Sequence, residues 1–278
     1  MKLSCFKPSR PRLPQAWNGR FPYQANGGLD GNVLPAIGAF GGGPLTHALK
    51  QGKPISASFL YDSGHGTAGV AFWEFTAPVA LDSGAVGMVF GSPPQALAGF
   101  NGPQFSLTSS IDALVANTSA TSGLYTESGL SFLMPPNPGQ LSTLRNRGGK
   151  VLLHHGLSDA HFSADDTRVW LAAVSAQHPD AADFTACFPV PGMGHCSGGP
   201  ATDQVDLLSP LVAWVEQGVR PERILASACG AGNAGGVNAD LPANCSPART
   251  RPLCRWPSVA RCQGSGDLES AANFVCRP

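Results

Sequence analysis

From Gly148 to Gly218 the chain reads as strand, helix, strand, helix, and that order restricts it to a sheet with parallel neighbours. Val151-Leu152-Leu153 is a short apolar run of the kind buried within a sheet. Ser163, followed three residues later by Asp166, is a capping-box pattern that opens a helix running to about His178. Phe184 to Val190 is a second apolar strand, followed by the turn-rich Pro191-Gly192-Met193-Gly194-His195-Cys196. A second helix is predicted from about Gln204 to Gln217, stopped by Gly218. Pro210 inside it should remove one backbone hydrogen bond and kink or split it.

In open parallel sheets, functional side chains collect just beyond the carboxyl ends of the strands. Asp159 and His195 both fall there, each a few residues past a predicted strand. An acid followed by a histidine, with a helix and a strand between them, fits the last two members of a Ser, Asp, His order along the chain. A buried carboxylate would hold the imidazole tautomer and stabilise the imidazolium formed during proton transfer. The structural alternatives are an Asp that caps the next turn and a His satisfied within a glycine loop.

Upstream, residues 14–66 suggest strand, glycine loop, strand: Arg20 to Ala25, then Asn26-Gly27-Gly28-Leu29-Asp30-Gly31, then the apolar run Ile55 to Tyr61 leading into Asp62-Ser63-Gly64-His65-Gly66. Residues 67–140 show little periodicity, with Pro-Pro pairs and a Ser/Thr-rich stretch, and read mostly as a loop-rich junction. Residues 148–228 form the strand-helix half, and 229–278 read as a loop-rich tail pinned by disulfides.

Eighteen basic residues balance eighteen acidic ones, and no block of like charge occurs, which argues against nucleic acid or an anionic membrane surface as partner. No apolar run approaches the roughly 18 to 20 residues that span a bilayer. Residues Met1 to Arg10 carry Lys2 and Lys7 without an apolar core, so no export signal is readable in this chain. Eight cysteines, five of them from Cys229 onward and none in Cys-x-x-Cys spacing, fit a disulfide-stapled, extracytoplasmic protein better than a zinc site. His154, His155, His161 and His195 lack the His-Glu-x-x-His pattern, so no metal and no cofactor is expected.

Gly149-Lys150-Val151-Leu152-Leu153-His154-His155-Gly156-Leu157-Ser158-Asp159 and Val190-Pro191-Gly192-Met193-Gly194-His195-Cys196-Ser197-Gly198-Gly199-Pro200 closely resemble the acid and histidine motifs of the tannase/feruloyl esterase family of α/β-hydrolases. That family includes hydrolases of aromatic mono-esters derived from terephthalate. Further similarity lies in Trp17-Asn18-Gly19-Arg20-Phe21, Gly27 to Gly31, Arg251-Pro252-Leu253-Cys254, Gly264 to Asp267 and Phe274-Val275-Cys276, so that it covers roughly 14–66 and 85–278. The resemblance implies Asp159 as triad acid, His195 as general base, and backbone N–H groups near Gly27 and Gly28 as part of an oxyanion hole. Glycine suits that loop because a side chain would obstruct the approach of an oxyanion, although a plain turn would use glycine too. Phe162 matches a position that faces the aromatic acyl group in some members, and a Cys254–Cys276 disulfide is implied. Cys229 with Cys245 is a pairing suggested by proximity alone, and the connectivity of the remaining cysteines stays open.

The departure from the family is its nucleophile, carried there in a Gly-Cys-Ser-x-Gly-Gly segment between the regions matched by His65 and Val89. About twenty residues separate those points here, and no Gly-x-Ser-x-Gly occurs in the chain. Ser158 directly precedes the candidate acid on the same turn and is poorly placed to receive its histidine. Ser63, in a glycine-flanked turn beyond a strand, is the candidate for a relocated nucleophile. The same interval holds the family's lid domain, which carries calcium in some members, so neither is expected here. Cys196 loses the partner that the family places before its serine. Loss of the strand and helix carrying the nucleophile should also leave an unpaired sheet edge that favours association.

The expected architecture is thus a single incomplete α/β-hydrolase domain over 1–278, a truncated parallel sheet core without a lid. Its expected function is hydrolysis of small aromatic (phenolic) acid esters by a Ser-His-Asp acyl-enzyme route, in a secreted or periplasmic setting, with oligomeric state open. The alternative is an inactive homologue that at most binds aromatic ligands.

Overall fold

The computed structural model describes residues 87–278, apart from 160, 161, 163, 196, 229–237, 239, 240, 242–245 and 247, and two strands nearer the N-terminus. Those two, β1 (Tyr23–Asn26) and β2 (Ser56–Phe59), pair in parallel with Tyr23 opposite Ser56 and Asn26 opposite Phe59.

The stretch 67–140, expected to be mostly loop, holds three short helices in its described part: α1 (Gly102–Thr108), α2 (Ile111–Thr118) and α3 (Gly129–Leu133). The small polar residues that give this stretch its loop-like composition are the helix caps. Asn101 accepts from the Gln104 N–H, Ser110 from Ala113 and Ser128 from Ser131, each satisfying an orphan donor of a first turn. No residue of α2 is buried, so caps rather than packing define it. α4 (Ser142–Asn146) then leads to the sheet.

β3 (Val151–Gly156), α5 (Ala164–Gln177) and β4 (Thr185–Val190) form the predicted strand-helix-strand unit. β3 and β4 run parallel, with Val151 opposite Thr185 and Gly156 opposite Val190. Five of the six residues of β4 are buried, without alternation, as expected for a strand covered on both faces. Among the described residues β3 has a strand partner on the β4 side only. α5 closes over the pair through Val174, which packs with Ala181 and Phe184.

The helix expected from Gln204 starts later. Gln204–Val205 is instead a short strand, β5, antiparallel to β6 (Arg223–Ser227), and α6 spans Leu208–Gln217. Pro210 is therefore the third residue of the helix, inside the first turn, where the amide it lacks would have had no helical partner. The predicted kink does not arise. Asp206 accepts from the N–H groups of Leu208 and Ser209, and Gly218 ends the helix at a φ of 71°.

The tail is more regular than its composition suggests. β7 (Thr250–Cys254) pairs antiparallel with β6, and β8 (Val259–Cys262) pairs with β9 (Phe274–Arg277). A Cys254–Cys276 disulfide joins β7 to β9. The Trp256 N–H donates to the Cys187 carbonyl of β4 at 2.8 Å, so the tail is docked on the parallel pair. Phe188, Val190, Met193, Trp214, Ile224 and Leu253 meet in one apolar core between these layers.

Candidate active site

Two loops leaving the carboxyl ends of β3 and β4 meet above the sheet. The ladder continues into them: the Leu157 N–H donates to the Val190 carbonyl and the Ser158 N–H to the Met193 carbonyl, both at 3.0 Å. Glycine is needed at Gly156 because a Cβ there would press into the carbonyl oxygens of Met193 and Gly194. The β4 loop is turned by Gly192, Gly198 and Gly199, all at φ between 73° and 75°. Asp203 fixes it by accepting from the Gly198 N–H at 3.0 Å, and Asn238 donates its side-chain amide to the Gly199 carbonyl at 2.9 Å.

This stitching brings Asp159 and His195 together. Oδ2 of Asp159 lies 2.9 Å from Nδ1 of His195, and Oδ1 accepts from the Phe162 N–H at 3.0 Å. A carboxylate can only accept, so Nδ1 carries the proton and the lone pair of a neutral His195 lies on Nε2. The acid side chain is 4% exposed and the histidine side chain 38%, a buried anchor beneath a more accessible imidazole. Burial, the largest single influence on Asp159, pushes its carboxyl up, but hydrogen bonds from His155, His195 and the Phe162 N–H outweigh it and hold the group well below the usual carboxylate range. It is ionised at neutral pH. Phe162 stands edge-on to His195, with ring centroids 4.9 Å apart. Such a pair can take a proton from a hydroxyl and return it to a leaving group.

His155 was prominent in the sequence only as one of several histidines. Its Nε2 lies 3.0 Å from the Phe162 carbonyl and 3.5 Å from Oδ2 of Asp159, and its Nδ1 lies 2.7 Å from the Thr167 hydroxyl. Burial disfavours a charge on it, but Asp159 and the Phe162 carbonyl outweigh that effect and raise its pKa. Its place in the acid motif was the available sequence signal; nothing in the sequence marked Thr167, Asp203 or Asn238. Ser63, Gly27, Gly28, Cys196, Cys229 and Cys245 lie outside the described residues. Cys187 is a buried free thiol and Cys262 an exposed one.

The sequence profile of the tannase and feruloyl esterase family matches residues 104–277. The chain is 47% identical over 157 residues to mono(2-hydroxyethyl) terephthalate hydrolase of Piscinibacter sakaiensis, covering 56% of this chain and 24% of that protein. It is 33% identical over 180 residues to an uncharacterized esterase of Xanthomonas campestris, covering 53% of this chain and 29% of that one. A probable feruloyl esterase B-2 of Aspergillus fumigatus is 30% identical over 154 residues, covering 49% and 27%. The matches span about a quarter of the length of these curated relatives.

Proposed function

The chain belongs to the tannase and feruloyl esterase family, and from that premise we propose that it is a carboxylic ester hydrolase acting on small esters of aromatic, phenolic acids. The observation that carries the reading is the 2.9 Å contact between the buried Asp159 carboxylate and Nδ1 of His195 at the ends of two adjacent parallel strands. The names of two relatives, a terephthalate mono-ester hydrolase and a feruloyl esterase, support the aromatic acid as the substrate class.

In this mechanism His195 Nε2 takes the proton of a serine hydroxyl as its oxygen attacks the ester carbonyl. The tetrahedral intermediate collapses to an acyl-enzyme as the same proton passes to the departing alcohol. Water, activated by His195, then releases the acid. Asp159 stays ionised and stabilises each imidazolium. Ser63 is the proposed nucleophile, with the N–H groups near Gly27 and Gly28 as oxyanion donors. In the sequence Gly27 directly follows β1 and Ser63 comes four residues after the end of β2, and the parallel pairing of these strands supports placing both segments in one site. The ring of Phe162 beside His195 is the proposed contact for the aromatic acyl group. The same reading makes the chain a single α/β-hydrolase-type domain without the family's lid, and its disulfide suits an oxidising compartment outside the cytoplasm.

A second reading, an aromatic-ligand-binding homologue without turnover, is favoured by the absence of Gly-x-Ser-x-Gly from the sequence. Labelling of the purified chain with a fluorophosphonate probe and peptide mapping separates the two. Modification of one serine that disappears in His195→Ala is the expected result, and an unlabelled chain that binds but does not cleave aromatic esters would overturn it.

A further inference from the structure

Asp159 is bracketed by two histidines, of which the hydrolase reading uses one. The second, His155, is the penultimate residue of β3, and its ring joins three separate pieces of chain. The Phe162 carbonyl can only accept, so the proton between them, across 3.0 Å, belongs to Nε2 of His155. That same nitrogen lies 3.5 Å from Oδ2 of Asp159. On the other side, Nδ1 meets the hydroxyl of Thr167 on α5 at 2.7 Å. A hydroxyl can turn to donate to a neutral ring or to accept from a charged one, so the Nε2 proton keeps its place in either state.

From this arrangement we infer that His155 is a positioning residue that aims the Asp159 carboxylate at His195. The inference rests on the hydrolase reading for its purpose, though its geometry does not depend on which serine reacts. His155 holds the Phe162 carbonyl, the Phe162 N–H holds Oδ1 of Asp159, and the Phe162 ring packs against His195. Without the imidazole, the Phe162 carbonyl loses its link through His155 to β3 and to Thr167 of α5, and the carboxylate can turn away from Nδ1 of His195. Asp159 and, from α5, Asp166 both favour protonation of the ring.

The test reads the tautomer of His195 from its ring nitrogen chemical shifts in the full chain labelled with nitrogen-15 histidine. The expected state is the Nδ1–H form in the parent and in His155→Gln, whose amide nitrogen can replace Nε2 as donor to the Phe162 carbonyl. His155→Leu is expected to move His195 toward the Nε2–H form and to slow fluorophosphonate labelling by about tenfold to a hundredfold, the scale of an ångström-sized misplacement. Thr167→Val, which keeps the ring but unties it from α5, is expected to give an intermediate shift and serves should His155→Leu fail to fold. A His195 tautomer unchanged in both His155→Leu and Thr167→Val would overturn the inference, as would a parent already in the Nε2–H form. A parent that shows the expected tautomer pattern yet takes no probe would sink the hydrolase reading while leaving the positioning role intact.

Discussion

Gly156 lies against the Met193 backbone so closely that a single added carbon would press into the carbonyl oxygens of Met193 and Gly194. The contact allows the Ser158 N–H to reach the Met193 carbonyl at 3.0 Å, and it sets how near the Asp159 loop comes to the His195 loop. Because the obstacle is backbone on both sides, Gly156→Ala has to part the loops rather than displace a side chain. We expect a loss of about 1–3 kcal/mol in urea denaturation, the usual scale for overpacking, together with at least roughly tenfold slower probe labelling. Parent-like stability and labelling would show that the close approach does not set the site.

The buried acid should write itself into the pH dependence of stability. Folding lowers the Asp159 pKa, so its contribution is complete above the unfolded value of about 4 and is lost as pH falls through the folded value. His155 works in the opposite sense. Its pKa is raised on folding, so its contribution is complete below about 6.5 and is lost as pH rises through the folded value. Urea midpoints taken from acid to mildly alkaline pH should therefore decline on both sides. Asp159→Asn should flatten the acid decline while lowering stability at neutral pH, and His155→Gln should flatten the alkaline one. An acid limb of unchanged steepness in Asp159→Asn would remove Asp159 as its source.

How much of this was legible in the sequence depended on whether a residue acts through its neighbours along the chain. β3, α5 and β4 announced themselves because apolar runs and a capping box are local patterns, and Asp159 and His195 followed from where such strands end. The pairs that organise the site are different. Asn238 reaches Gly199, Asp203 reaches Gly198 and Thr167 reaches His155 only after folding, and no spacing records those meetings. The 102–133 helices were hidden for another reason. Ser110 and Ser128 are loop-forming residues by composition and helix caps by position, and composition cannot tell the two apart.

Pro210 offers a sharp check on the corrected start of α6. In the interior of a helix its removal would gain about 3 kcal/mol, whereas at the third helical position the missing amide has no partner to lose. Pro210→Ala is therefore expected to move the urea-derived stability by less than about 1 kcal/mol. A gain near the interior value would return the helix start to Gln204.

The cysteines of the tail and the core should separate by chemistry. The Cys254–Cys276 disulfide closes a sequence separation of 22 residues, for which the loss of unfolded-chain entropy amounts to about 3 kcal/mol. The double variant Cys254→Ala/Cys276→Ala should lose about that much in urea denaturation and still hold the Nδ1–H form of His195, since the disulfide joins β7 to β9 rather than the two site loops. The free thiols make the complementary case. Cys187 is buried, and burial pushes its thiol up to about 11, so almost no thiolate exists at mildly alkaline pH and the sulfur is out of reach. Cys262 is exposed on β8. Brief iodoacetamide treatment of the folded parent, followed by peptide mapping, should modify Cys262 and spare Cys187, with Cys187 reacting once urea is added. Equal modification of the two in the folded chain would mean that β4 is not the buried strand on which Asp159 and His195 depend for their alignment.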